Sequence, residues 1–386
     1  MSNNKLEYFL LISKDFRNNF SESLGKVKCV KNMEVNEISA TSSNTLNRLL
    51  KLFNCDDATY KNFNGNSAQL FSFNLINQNE EILTLNNGNV FSCDLSLLNL
   101  INFLNKEIGE NHFLITHSVN QFNAISSLLT NLGEDDKKQN SIIQNLAGEK
   151  TWDCFQDLIS TLNKSCKWVV LRNFEELIDS PVFNPGDDID ILCDDITFFI
   201  AVMNAKKRHG GRCSYYVSVK NQNIPLDIRF VGDKYFDPVW ASEILKRKTV
   251  HHTIPVPSKY DYFFSLLYHS KLQKREVKKI YIERLDKLSK ELNFINLSNQ
   301  FVLDDSLCSK ILNAFFNSNK YIYTYTDDAV RNESFLKTIK HKEINDPLNN
   351  WRVLIKQTPN IFIRKGIEVI ARKLGLKKKF PKIYMF

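Results

Sequence analysis

Gly186-Asp187-Asp188-Ile189-Asp190-Ile191-Leu192 and, downstream, Pro225-Leu226-Asp227-Ile228-Arg229-Phe230 decide how this chain is read. Both segments set acidic side chains between aliphatic ones and read as strands. Successive side chains on a strand point to opposite faces, so Asp188 and Asp190 share one face while Ile189 and Ile191 pack on the other. Asp227 lies between Leu226 and Ile228 in the same pattern. Two carboxylates on one side of a buried strand repel each other and cost desolvation, which a cation between them offsets. A third carboxylate from a neighbouring strand completes an all-oxygen cage suited to Mg2+ or Mn2+, hard ions that bridge substrate phosphates. Asp188, Asp190 and Asp227 are therefore the candidate metal ligands and catalytic residues of a phosphoryl or nucleotidyl transfer. The plainer reading is an acidic turn, since Pro185-Gly186 is a turn signal in its own right. A solvated loop, however, has no reason to alternate Asp with Ile, Ile and Leu.

An Asp-x-Asp inside an apolar strand, preceded by a helix-strand unit and followed by a hydrophobic-Asp-hydrophobic strand, resembles the nucleotidyltransferase superfamily with its DNA polymerase beta-like fold. The resemblance spans residues 150–231 and implies a helical subdomain after them. It implies that Asp188 and Asp190 bind the metal and that Asp227 completes the site or activates the acceptor. The chain departs from the family at one point. The family has a Gly-Ser pair after its first strand to hold nucleotide phosphates, whereas here Trp168-Val169-Val170-Leu171 runs into Arg172-Asn173-Phe174-Glu175. An arginine and an amide also hold phosphate, the first bidentately, so a nucleotide-diphosphate-linked donor is expected as readily as a free NTP. The same wording is similar to uncharacterised nucleotidyltransferase-like proteins of surface-polysaccharide loci. More distantly it resembles the LicD and fukutin-type transferases, which move a phospho-alcohol from a CDP-linked donor onto a glycan.

At 386 residues the chain is long for one domain and ample for two or three. It has no run of about eighteen apolar residues that would span a membrane, and its N-terminus reads as a strand rather than a secretory signal. The eight cysteines, at 29, 55, 93, 154, 166, 193, 213 and 308, form no Cys-x-x-Cys pair and fit reduced thiols in a cytoplasmic protein. Net charge is +8, but eight basic residues between Arg364 and Phe386 against Glu368 alone supply +7 of it. The rest of the chain is nearly neutral, which disfavours a nucleic-acid surface.

Residues 1–132 read as an N-terminal α/β domain with strands at Tyr8–Ile12, Val27–Val30 and Phe113–Thr116, a hairpin of Ala68–Leu75 with Glu81–Leu85, and helices at Leu95–Ile108 and Gln121–Leu132. His117 ends a strand there and reads as a structural histidine. A polar linker follows at Gly133–Ser141. The transferase-like core, residues 142–254, has a helix at Thr151–Leu162, the strand at 168–171, a helix at Ile196–Ala205 and paired strands at Ser214–Val219 and Ile224–Val231. Residues 255–345 turn helical, with Tyr260–Lys274 and Glu276–Leu292 the clearest cases. Lys271 and Lys274 near the end of the first are candidate grips for donor phosphate, or a solvated helix end. His269 reads as a hydrogen-bonded buried histidine. Arg229 shares a face with Asp227, where it binds phosphate or neutralises the acidic cluster. Residues 346–386 carry Ile363, Ile367, Ile370 and Leu374 on one helical stripe beside Lys377-Lys378-Lys379, the composition of a helix lying on an anionic membrane surface or, as the plainer reading, of a packing helix with a solvated basic tail.

The sequence thus predicts an α/β protein with a nucleotidyltransferase-like mixed sheet, an added N-terminal domain and a helical C-terminal region. It predicts a Mg2+-dependent (or Mn2+-dependent) transferase in the cytoplasm, peripheral at the inner membrane face. Arg172, Asn173, Arg229 and Lys271 would hold a nucleotide or CDP-linked donor, and the acceptor would be a sugar or lipid-linked glycan. Two rivals are a toxin-like nucleotidyltransferase acting on protein or RNA, and an inactive scaffold of a polysaccharide assembly complex.

Overall fold

Tyr8-Phe9-Leu10-Leu11-Ile12 is apolar at every position, and such a run is buried on both faces of a sheet. In the computed structural model it is the heart of strand β1 (Lys5–Ser13), with Phe9 to Ile12 all buried. The structure describes residues 5–13, 24, 27, 30–38, 43–54, 60, 63, 68–76, 80–84, 90–109, 112–116, 118–130, 142–143, 145–177, 188–209, 211–294, 297, 299–324 and 332–339. The linker at 133–141, His117, Gly186, Asp187 and the basic segment 346–386 lie outside them. The chain divides into two units, the first being Met1–Cys166, Thr197–Lys206 and Val217–Asn223, the second Lys167–Ile196, Lys207–Tyr216 and Ile224–Phe386.

In unit one β1 pairs antiparallel with β3 (Ala68–Ile76) and with β6 (Phe113–Ile115). β3 also pairs antiparallel with β2 (Val30–Ile38), which runs parallel to β7 (Ile142–Ile143), giving the order β6-β1-β3-β2-β7. The expected hairpin of Ala68–Leu75 with Glu81–Leu85 is not formed. β3 buries Leu70 and Phe71, neighbours on opposite faces, and so belongs at the centre of the sheet, while β4 (Glu80–Thr84) pairs with β5 (Val90–Asp94). The strand expected at Val27–Val30 begins only at Val30 and runs on to Ile38. Helix α1 is Ser43–Leu52, α2 is Leu95–Glu107 and α3 is Val119–Thr130. Leu100, Leu104 and Ile108 of the α2 region close one core with Leu10, Ile12, Phe71 and Phe73. α4 (Phe155–Ser165) packs on α3. Its expected start at Thr151 is displaced because Trp152 pairs with the 218–220 segment, its backbone N–H donating to Ser218 O at 2.9 Å and its carbonyl accepting from Lys220 at 2.8 Å. Gly148 approaches the Trp152 indole so closely that a Cβ would lie 2.3 Å from the ring, at φ +70, which only glycine adopts freely.

The second sheet is made of β8 (Trp168–Val170), β9 (Ile189–Cys193), β12 (Gln222–Phe230), β11 (Ser214–Val219) and β10 (Lys206–Lys207), in the order β10-β11-β12-β9-β8; β8, β9, Lys207, Ser214–Tyr216 and Ile224–Phe230 belong to unit two, Lys206 and Val217–Asn223 to unit one. The β11–β12 connection is tighter than the four residues expected. Lys220 and Asn221 alone make the turn, at φ 49 and 62, the left-handed pair a two-residue hairpin requires. β9 is antiparallel to β8 and parallel to β12, so the sheet is mixed. α5 (Ile196–Met203) follows β9 and from Thr197 on belongs to unit one, and α6 (Pro238–Lys246) of unit two starts on the Asp237 cap. A short hairpin, β13 (Thr249–His251) with β14 (Ile254–Val256), leads into α7 (Lys259–Leu272). α7 is buried on all sides from Asp261 to Leu272, the mark of a central helix. α8 (Lys279–Glu291), α9 (Asp305–Asn319) and α10 (Glu333–Leu336) pack around it. No helix among the described residues is long and apolar enough to cross a membrane.

Candidate functional site: a carboxylate cluster held by arginines

The alternation in Asp188-Ile189-Asp190-Ile191 places the two isoleucines in the core of unit two and turns the aspartates to the opposite face. β12 does the same with Leu226 and Ile228, both buried, around Asp227. The parallel register sets Asp190 directly beside Asp227. In adjacent strands a few ångströms apart, residues in register share a face, so Asp190 and Asp227 lie side by side on one face, with Asp188 two residues before Asp190.

Arg172 follows β8, the other neighbour of β9, where Leu171 N–H donates to Asp190 O at 2.8 Å. Its guanidinium grips Asp190 side-on, with Nε donating to Oδ2 at 3.1 Å and Nη2 donating to Oδ1. Arg172 is 3% exposed, and its third nitrogen, Nη1, is buried with no hydrogen-bond partner among the described residues. Burial works most strongly against the Arg172 charge, but the adjacent Asp190 carboxylate and its hydrogen bond, with Tyr235 and Tyr281, together outweigh it and hold the guanidinium protonated more firmly than usual. Arg229, two residues beyond Asp227, donates from Nη2 to Asp227 Oδ2 at 3.0 Å. Burial pushes the Asp227 carboxyl up, and Arg229 pulls it back. Asp188 reaches solvent; desolvation first, then its like-charged neighbours Asp190 and Asp227, lift it to about 6, opposed by Arg172 and Lys274.

Tyr235 holds both arginines. Its ring centroid lies 4.4 Å from Arg229 Cζ and 6.0 Å from Arg172 Cζ, within reach of cation–π attraction. The Tyr235 hydroxyl and Gln273 Oε1 each meet His269 Nδ1 at 3.0 Å, and Gln273 Nε2 donates to Tyr235 O at 3.1 Å. Gln273 Oε1 can only accept, so Nδ1 carries the proton. Burial, with Arg172 and Lys274 nearby, depresses His269 well below the usual histidine value and keeps it neutral. The expected buried, hydrogen-bonded histidine is found.

Two of the expected phosphate-binding side chains are engaged elsewhere. Lys271 is buried in α7; its ammonium donates to Val302 O at 3.0 Å and pairs with Asp305, so it braces the helices and is not a solvated grip. Lys274, the weaker candidate, is the one whose charge acts on Asp188. Asn173, at φ 58, accepts from Arg284 Nη1 at 2.6 Å, and Arg284 Nη2 reaches Glu175 at 3.5 Å. Sequence reasoning missed Tyr235 in a turn, Gln273 just past the end of α7 and Arg284 on α8, positions that no motif marks.

The donor set is oxygen only and suits a hard divalent cation. As held here, Asp190 and Asp227 each face an arginine, and no group of three or more His, Cys, Asp or Glu side chains among the described residues is gathered around a common metal position. No family model, curated protein or solved structure matches the chain.

Proposed function

We propose that unit two carries the centre of a Mg2+-dependent transferase that moves a nucleotidyl or phospho-alcohol group from a phosphate-linked donor to a hydroxyl acceptor. The observation that supports this most is the parallel pairing of Asp190 with Asp227, with Asp188 on the same face and two arginines among them. Carboxylates and guanidiniums interleaved at one spot match a substrate that is both metal-bridged and polyanionic. Asp188, Asp190 and Asp227 would hold the cation, which supplies charge neutralisation at the transferring phosphate. Arg172, with an unpartnered buried Nη1, and Arg229 would orient the donor's phosphates. Asp227, pushed up by burial, would orient the acceptor hydroxyl and receive its proton. A sugar or lipid-linked glycan acceptor and a place in surface-polysaccharide synthesis rest on the family resemblance.

The arginine pairing also supports a second reading. With Asp190 and Asp227 already compensated by guanidiniums, a non-catalytic scaffold needs no metal to be stable. Thermal shift with a panel of nucleotides and CDP-linked alcohols in Mg2+ separates the two, since a ligand of the folded state alone raises the melting temperature. The transferase reading expects a Mg2+-dependent stabilisation that Asp190→Asn and Asp227→Asn abolish. No stabilisation by any nucleotide, with or without Mg2+, contradicts it and leaves the scaffold.

A further inference from the structure

We infer that this site takes its divalent cation and its phosphate-bearing ligand cooperatively, each favouring the other, through an exchange of ion-pair partners; the inference rests on the transferase reading above. Arg172 occupies both carboxylate oxygens of Asp190, one through Nε and one through Nη2. Arg229 occupies Asp227. Among the described residues no ion pair engages Asp188. A cation arriving alone would have to draw Asp190 away from Arg172 and leave a buried guanidinium without a counter-charge. A phosphate arriving alone would draw Arg172 away and leave a buried carboxylate bare. Either half-exchange strands a charge inside the protein, the most costly arrangement a buried pair can adopt.

Arriving together, the two ligands let every charge keep a partner. The arginines turn to the phosphate oxygens, whose spacing suits the same planar fork that now holds a carboxylate, and the carboxylates turn to the cation. Three carboxylates against two guanidiniums leave one net negative charge, and a divalent cation with a phosphate dianion does not alter it. Arg172 Nη1, buried and without a partner among the described residues, is the donor left for an incoming oxygen. Tyr235 lies against both guanidiniums and is itself fixed by His269 and Gln273, so the arginines share a common support about which to swing. By linkage, each ligand must then tighten the other by the same factor.

The test counts free Mn2+ by electron paramagnetic resonance while the full chain is titrated, without and with saturating inorganic phosphate or CMP, both weak chelators of the ion. The expected result is weak Mn2+ binding alone and binding roughly tenfold tighter with phosphate or CMP, the size of an ordinary coupling. CMP affinity should rise by the same factor in Mn2+. Arg229→Met, which frees Asp227, should strengthen Mn2+ binding alone and shrink the coupling. Arg172→Lys, which keeps the charge but lacks the fork, provides the second variant should Arg229→Met not fold. Equal Mn2+ affinity with and without phosphate and CMP, while both ligands bind, overturns the exchange and leaves the transferase reading in place. Coupling unchanged in both variants overturns it too. Failure of Mn2+, phosphate and CMP to bind in any combination overturns the inference and the transferase reading together.

Discussion

Each unit of the molecule buries an arginine, and the two are used in opposite ways. Arg48, on α1 of unit one, sends Nε to Ala201 O at 2.7 Å, Nη1 to Ala147 O at 2.6 Å and Nη2 to Val202 O at 2.6 Å. Two of those carbonyls lie in the last turn of α5, where backbone oxygens lack helical partners and carry the negative end of the dipole. Burial lowers Arg48 to about 9, with Glu149 opposing. Arg172 in unit two is as deeply buried, yet it spends two nitrogens on one carboxylate and leaves the third without a partner. Carbonyls fixed in a backbone cannot leave, so Arg48 is a staple. A carboxylate can accept another cation, so Arg172 is a holder whose partner is replaceable.

If that contrast is right, the two arginines must fail differently. Arg172→Met should cost the most, about 3–5 kcal/mol in urea melts, because Asp190 is left buried and unpaired. Adding Asp190→Leu should recover most of the loss, since an apolar pair of similar volume can replace a buried ion pair. Arg48→Met should cost about 3 kcal/mol, because the buried carbonyls of Ala147, Ala201 and Val202 lose their guanidinium donor. No carboxylate change should rescue it, Glu149→Gln included. Rescue in unit one, or its failure in unit two, would erase the distinction.

Gly148→Ala sharpens the same point at the backbone, since Asn204 Nδ2 donates to Gly148 O at 2.9 Å near the Arg48 staple. The new Cβ meets the Trp152 ring at positive φ, and a loss of about 2 kcal/mol is expected in the same melts. The smallest effect should be a gain. Asp188 is raised from its ordinary 3.8 to about 6, so the folded state binds its proton more tightly than the unfolded state does. Its ionised form therefore costs stability above pH 6, and the cost fades as pH falls from 6 towards 4. Without metal, Asp188→Asn should stabilise the fold slightly at pH 7–8, by less than about 1 kcal/mol for so exposed a group, and make no difference near pH 4.

The strands of the site were legible because a period of two with Asp against Ile, Ile and Leu has one explanation, and β9 and β12 lie where that alternation puts them. The arginine pairing was not legible. Arg172 reads from sequence as a phosphate grip, and only the order β12-β9-β8 reveals that Asp190 is its neighbour. β2 was expected only as far as Val30 for a local reason: its register against β3 shifts between Lys31 and Glu34, and such an irregularity breaks the alternation by which a strand is recognised. The partner of β3 lay about sixty residues away in β1, a choice that local turn signals cannot encode.

The most direct measurement is diffraction at the manganese absorption edge from crystals grown with Mn2+ and CTP. The account predicts an anomalous peak ligated by carboxylate oxygens of Asp188, Asp190 and Asp227, with a nucleotide phosphate on Arg172 and Arg229 in place of the carboxylates. Arg172 still bidentate on Asp190, with no anomalous peak at the cluster and the nucleotide absent or bound elsewhere, would contradict it.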